Sequence, residues 1–338
     1  MKNKKIAFFT EMPIWGKIPR DYPNMKTMEA WICALDADHI SLSKLSEINT
    51  DYDLSIVVIP KNWYKLRIEQ AHQIIEQIQS VIKPKCKKLA IMQEGPNNYF
   101  QDYSIKHQFI YYHLLFEADF LLCHNESDIN YYRGLTGKNT YAFQSLMLNG
   151  PTILERYSQE EDGPTILERY PQEEAVMIGG NFVSWYGGFD SYIVAREMDI
   201  PVWGPSMGRM QEGEDVIDGI KYLPYMNWNK WMVELSRMKY GVHLMRTYAA
   251  GTFALNCSFL GIPCIGYENL DTQNRLHINT TIEEGDILGA REIANKLKND
   301  KEFYDNCKYS TQHMYKQFYT EEKFLDYFHD ILVEEELL

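Results

Sequence analysis

Short apolar runs bounded by polar turns recur through the first 150 residues: Lys5–Phe9 (KIAFF), Leu54–Ile59 (LSIVVI), Leu89–Met92 (LAIM) and Phe120–Cys123 (FLLC). Longer segments of helical pattern lie between them, at Met25–Leu35, Leu66–Ile82 and Ile105–Glu117. Nearly continuous apolar strands that alternate with helices predict a parallel sheet covered on both faces. The second half repeats the plan. Its strands are expected at Ala175–Ile178, Pro201–Trp203, Ile220–Leu223, Tyr240–Leu244 and Pro263–Ile265, and its helices at Ser191–Met198, Trp228–Arg237, Thr252–Leu260 and Gly289–Asn299. From Lys301 to Glu335 the pattern is helical throughout. The expectation is an α/β chain of two Rossmann-like, doubly wound parallel-sheet domains that face each other across a ligand cleft.

A local tandem duplication marks the middle. Residues 150–162 read GPTILERYSQEED and residues 163–175 read GPTILERYPQEEA. Two copies make no solenoid. Such insertions survive where few contacts cross, so 150–175 is expected to be an interdomain linker, with domains at 1–149 and 176–310 and terminal helices at 311–338.

The chain has 338 residues, 45% of them hydrophobic, which suffices for two cores. The six cysteines include no CxxC pair, no apolar run approaches the roughly 20 residues that cross a bilayer, and no secretory signal precedes the first strand. These features predict a cytoplasmic, metal-free protein. The net charge of −13 is uneven: residues 1–150 carry 17 basic and 16 acidic side chains, and the remainder 17 and 31. Such a chain is no general polyanion binder. The neutral N-terminal half, with clusters at Lys2–Lys5, Lys61–Arg67 and Lys83–Lys88, leaves room for a local basic face or for solvated helix ends.

Ligands of open parallel sheets bind beyond the carboxyl ends of the strands, which directs attention to four loops. Thr10–Thr27 is long and holds Trp15, Lys17, Arg20, Asp21 and Lys26; it reads as substrate-facing or as a surface excursion. Gln93–Asn98 places Glu94 at a strand end, as a general base for an acceptor hydroxyl or as a turn carboxylate; His124, after FLLC, is the alternative base. Gly179–Asp190 (GGNFVSWYGGFD) offers Gly179 and Gly180 to a phosphate group, or simply forms tight turns. The fourth region runs from His243 to His277. Arg246 follows a strand, Gly251 and Thr252 open a helix, and Glu268, Asn269, Asp271 and Gln273 follow the next strand. Amides at a helix start, with a hydroxyl and a guanidinium, suit a diphosphate.

The stretch AAGTFALNCSFLGIPCIGYENLDTQ resembles the donor-site signature of glycosyltransferases of the two-Rossmann-domain, GT-B type. Asp119–Tyr132, Ile220–Leu244 and the ending from REIANKLKNDKEF are also similar to that family, and the resemblance covers most of the chain. It implies a nucleotide-diphosphate sugar as donor, most simply a UDP-sugar, with no tightly bound cofactor. The donor would meet Gly179, Gly180, Arg209, His243, Arg246, Gly251, Thr252, Glu268, Asp271 and Gln273. It also implies an acceptor-side first domain, with Glu94, Asp21 and His124 as catalytic candidates and Trp15, Lys17, Arg20 and Lys26 on the acceptor, and terminal helices that cross back to it. Many retaining members carry a glutamate pair where this sequence has Tyr248 and Asn256, and the Asp-x-Asp of the other glycosyltransferase fold is absent.

The opening GKIPRDYPNMKTMEAW, with ALDADHISL, faintly resembles glycosyltransferases of large tailed phages, some of which modify hydroxymethylated DNA bases. That resemblance implies double-stranded DNA as one acceptor, in the host cytoplasm; a glycan is the other. Two further readings are a sugar-nucleotide epimerase or hydrolase on the same fold, and a non-catalytic nucleotide-sugar-binding protein.

Overall fold

A computed structural model describes residues 4–59, 66–92, 104–148, 172–183, 185–205, 212–214 and 217–338. Contacts divide the chain into two compact units. One comprises Met1–Pro19, Met28–Gln144 and Phe324–Leu338; the other comprises Arg20–Thr27 and Ser145–Lys323. The long loop after the first strand is thus shared: Trp15 and Lys17 belong to the first unit, and Arg20, Asp21 and Lys26 to the second. Most of the duplication lies outside the described residues; only its last four, Gln172–Ala175, are described, and Glu173–Ala175 open the first strand of the second sheet.

The first unit holds a parallel sheet of six strands. They are β1 (Ile6–Thr10), β2 (Asp38–Ser41), β3 (Tyr52–Val58), β4 (Cys86–Met92), β5 (Phe120–Cys123) and β6 (Thr140–Ala142), in the order β2-β1-β3-β4-β5-β6. Helices α1 (Thr27–Ala34), α2 (Ile68–Gln77), α3 (Ile105–Glu117) and α4 (Glu126–Thr136) connect them. One face packs through Phe9, Val57, Ile91 and Leu121 against Ile75, Ile110 and Leu114 of α2 and α3. On the opposite face, Phe143 gathers Phe8, Trp31, Phe324 and Phe328, with ring centroids 4.6–6.5 Å away. The last two come from the C-terminal segment, whose Glu335 is buried and accepts hydrogen bonds from Asn139 (2.9 Å) and Tyr141 (2.8 Å) beside Lys88 Nζ (3.3 Å).

The second unit contains β7 (Glu173–Ile178), β8 (Val202–Gly204), β9 (Ile220–Tyr222), β10 (Met238–His243), β11 (Cys264–Tyr267) and β12 (Thr281–Ile282), in the order β12-β11-β10-β7-β8-β9. All its pairings are parallel. Helices α5 (Gly188–Arg196), α6 (Trp228–Ser236), α7 (Thr252–Leu260), α8 (Asp271–Leu276), α9 (Ile287–Asn299) and α10 (Lys301–Phe318) follow, and α11 (Glu321–Glu334) closes the chain. The strand order runs outward from β7 in both directions. It is the doubly wound order whose reversal leaves a crevice where the first and fourth strands lie side by side. Here those strands are β7 and β10. Two six-stranded parallel sheets flanked by helices make this a two-domain, Rossmann-like α/β fold.

Helical pattern through 301–335 resolves into two helices. Tyr319 leaves the helical region at φ −124°, and Thr320 bridges to Met147, so the chain breaks between α10 and α11. The Tyr319 side chain at that break is fully buried. The edge strands β2, β6 and β12, of two to four residues, were absent from the expected set because so few residues carry no readable period.

Candidate functional site

At the end of β7, the Gly179 amide donates to the Val242 carbonyl of β10 at 2.8 Å. The ladder then stops, and the two strands release their loops side by side. The loop from β7 passes through Gly179 and Gly180 and enters α5. The loop from β10 passes through Arg246 and enters α7. Each helix is nine residues long and starts after a glycine in the left-handed region: Gly187 at φ 60° and Gly251 at φ 61°. At both positions the demand for glycine is also steric. A Cβ on Gly187 would stand 1.9 Å from the Leu244 carbonyl oxygen, and one on Gly251 1.8 Å from Thr272 Oγ1. The loop of each helix start is therefore packed against a neighbouring strand exit or helix. Helix N-termini present unsatisfied amides and partial positive charge, so two of them open at the strand ends where the winding reverses.

Arg246 is more than half exposed, and its Nη2 lies 3.1 Å from Asp190 Oδ2 in the first turn of α5. Tyr267, the last residue of β11, adjoins the same guanidinium. Ser191, also on α5, accepts the Leu244 amide at 2.9 Å and ties that helix to the exit of β10. Next to them is His243. A Cβ on Gly179 would come within 2.4 Å of the His243 ring, so only glycine leaves the space it fills. The Phe253 ring of α7 meets it edge-on at 5.3 Å. Burial pushes the imidazole down to about 4, which makes it neutral at pH 7.

The structure thus brings together Gly179, Gly180, His243, Arg246, Gly251 and Thr252. Glu268 is exposed just past β11, and Asp271 is the first residue of α8. Gln273 is placed elsewhere. It is buried, and its amide nitrogen donates to the Cys264 carbonyl (2.9 Å) and to Thr281 (3.2 Å), under Gly266, whose missing side chain leaves it room. Its amide nitrogen thereby braces β11 and β12. Asn256 is buried within α7. Glu94 and Arg209 lie outside the described residues.

Of the residues expected to bind an acceptor, two cations already have carboxylate partners. Lys17 pairs with Asp36 (3.4 Å) and Asp38 (3.2 Å). Both guanidinium nitrogens of Arg20 reach buried Glu321, Nη1 at 3.0 Å. Trp15 is exposed with Lys44 above its ring, and Asp21 and Lys26 are exposed. The segment that carries Asp21 and Lys26 caps α6: Asn24 accepts the Trp228 amide at 3.0 Å, and the Pro23 carbonyl accepts the Asn229 amide at 3.2 Å. His124 is buried and stacked on Trp31 at 5.6 Å, in the aromatic cluster of the first unit rather than on its surface. Asp190 was missed by sequence reasoning because an acidic residue in a first helical turn is ordinary dipole compensation.

Among the described residues no group of His, Cys, Asp and Glu is arranged to hold a metal ion, and no helix is long and apolar enough to cross a membrane. No protein-family profile and no curated protein sequence matches the chain. Solved structures do. The Anabaena protein HepE, crystallised with UDP and glucose, superposes with a TM-score of 0.63 at 10% identity over 98% of this chain and 100% of that one. Sucrose-phosphate synthase of Thermosynechococcus elongatus gives 0.66 at 10% identity over 98% and 99%. An α,α-trehalose-phosphate synthase (UDP-forming) of Burkholderia vietnamiensis gives 0.59 at 13% identity over 87% and 75%. At such identities the likeness establishes the two-domain fold.

Proposed function

We propose that this protein is a glycosyltransferase that takes a sugar from a nucleotide-diphosphate donor, a UDP-sugar in the simplest case, and passes it to an acceptor hydroxyl. The observation that carries the reading is the meeting of two glycine-started helices, α5 and α7, at the β7/β10 reversal, with Arg246 beside them. That arrangement supplies backbone amides, two positive helix ends and a guanidinium to one anionic group. Structural neighbours crystallised with UDP or UDP-glucose support the same ligand class.

In this reading the second unit holds the diphosphate through Gly179, Gly180, Arg246 and the α7 N-terminus at Gly251 and Thr252. Glu268 and Asp271 are proposed to meet the sugar or ribose hydroxyls, and Arg209 to assist at the diphosphate. As the glycosidic bond breaks, negative charge grows on the departing phosphate oxygen. Fixed amide dipoles and Arg246 stabilise it without reorganisation, which is how such sites lower a barrier. Glu94 is proposed as the base that accepts the acceptor hydroxyl proton, with Asp21, an exposed carboxylate, as a second candidate.

A carbohydrate or small-molecule acceptor is favoured over DNA, because Lys17 and Arg20 are already engaged by carboxylates. Phosphate contacts need uncommitted cations. The test is a thermal-shift screen of UDP, GDP, ADP and their sugars, since a ligand bound only by the folded state raises the melting temperature. A shift with one diphosphate, lost in Arg246→Ala, supports the reading. No shift with any of them sinks it. The responsive sugar nucleotide is then incubated with glycans, with hydroxymethylated DNA and alone. Turnover with neither acceptor, but with water, moves the assignment to a hydrolase.

A further inference from the structure

His243 is the last residue of β10, directly beside the turn that leaves β7. It stands where the winding of the sheet reverses, with Gly179 on one side and the first turn of α7 on the other. Its side chain is buried, and neither ring nitrogen has a hydrogen-bond partner among the described residues. The other buried histidine of this unit, His277, is fully engaged: Nδ1 accepts from the Cys264 amide at 3.2 Å and Nε2 donates to the Ala254 carbonyl at 2.9 Å. Buried polar atoms in native proteins nearly always find partners. A phenylalanine would fill the same space beside Phe253 without that need. Gly179 has given up its side chain so that this ring can sit against the turn proposed to carry phosphate.

We propose that His243 is a ligand-contacting residue of the second unit, whose imidazole N–H donates a hydrogen bond to a phosphate oxygen of a nucleoside diphosphate held over the Gly179–Gly180 turn. The inference rests on the donor-site reading above and adds a specific contact to it. A neutral imidazole has one N–H and one acceptor nitrogen. The N–H suits an anionic oxygen, and a donor inside a water-poor pocket strengthens as the local dielectric falls. The ring adds no net charge to a site that already has Arg246, so the contact selects by geometry.

The experiment measures UDP and uridine binding calorimetrically for the wild type and for His243→Phe, His243→Asn and His243→Gln. Phenylalanine keeps the ring volume and the edge contact with Phe253 but removes both nitrogens. The expected result is a loss of about 10- to 100-fold in UDP affinity for His243→Phe. Uridine affinity, which involves no phosphate, stays unchanged. One of the two amide variants restores most of the loss, according to which nitrogen donates, and also serves as the folded control if the phenylalanine variant is unstable. UDP binding by folded His243→Phe equal to wild type overturns this proposal alone. Equal losses for UDP and uridine also overturn it, by assigning the residue to the fold. A wild type that binds no UDP, GDP or ADP overturns the donor-site reading itself.

Discussion

Asp190 Oδ2 lies 3.1 Å from Arg246 Nη2 and holds the guanidinium at the tip of β10 against the first turn of α5. The pair is partly exposed, with side-chain accessibilities of 23% and 53%, so its worth to stability is at most about 1 kcal/mol. Its effect on binding of the proposed diphosphate is expected to be larger, because Asp190 neutralises a cation at the reversal. Asp190→Asn is expected to raise UDP affinity about 3- to 10-fold at low salt, and Arg246→Ala to lower it about 10-fold or more. Salt titration of UDP binding checks this. A salt dependence in Arg246→Ala as steep as in the wild type would show that the guanidinium does not meet the ligand.

Gly251, which caps the start of α7, has no room for a side chain. Gly251→Ala forces a side chain into a left-handed backbone and onto Thr272 Oγ1, whose hydroxyl donates to the Gly251 carbonyl at 3.0 Å. The expected cost is about 2–4 kcal/mol of unfolding free energy. Gly285→Ala provides the control: its φ is also positive, at 90°, but a Cβ there meets nothing within 4 Å. Urea unfolding of the two variants should separate backbone strain from collision, and equal costs would contradict the steric account.

Acid should weaken the second unit through its buried histidines. Burial holds His243 and His277 at about 4, against an ordinary value of 6.5; for His277 the Ala254 carbonyl partly offsets this by favouring the protonated ring. The unfolded chain takes up these protons as pH falls through 6.5, and the folded chain only near 4. Stability is therefore complete above about pH 6.5 and lost progressively between 6.5 and 4, by up to about 1.4 kcal/mol per pH unit for each histidine. His243→Phe removes one of the two contributions. Unfolding curves from pH 7.5 to 4.5 should fall less steeply for that variant than for the wild type, and parallel curves would refute the assignment.

In the first unit, Glu335 offers a separate test. Its buried carboxylate holds Asn139, Tyr141 and Lys88, and burial together with that carboxylate pushes the Tyr141 hydroxyl far above its ordinary value. Glu335→Ala takes a buried acceptor from a lysine and a tyrosine and is expected to destabilise this unit by about 2–4 kcal/mol. UDP affinity, which the donor-site reading assigns to the second unit, should not change. A loss of UDP binding at a temperature where the variant is folded would contradict that separation.

Much of this architecture is legible in the apolar pattern. Phe120–Cys123, Ile105–Glu117 and Thr252–Leu260 form an expected strand and two expected helices with the same ends. Uninterrupted apolar runs and glycine stops at Gly251 and Gly261 carry that information. Short edge strands do not, and neither does α8, whose six residues complete fewer than two turns. The site was legible to the extent that it is backbone: Gly179, Gly180, Gly187 and Gly251 announce themselves as glycines. Side-chain direction was not. Gln273 and Asp190 look interchangeable as polar residues after a strand or in a first helical turn. Only the fold reveals that one turns inward to brace β11 and the other reaches across to Arg246.

The first unit is assembled from three separate pieces of chain, and Phe324, Phe328 and Glu335 arrive with the last of them. Vectorial synthesis consequently leaves this unit unfinished until the ribosome has made the whole of the second. About 180 residues separate Gln144 from Phe324, a delay of about 10–40 s at ordinary elongation rates. Over that interval Phe143 lacks two of the aromatic rings that pack against it. The nascent first unit is then a natural client for chaperones, while the second can close its sheet as soon as β12 has left the exit tunnel.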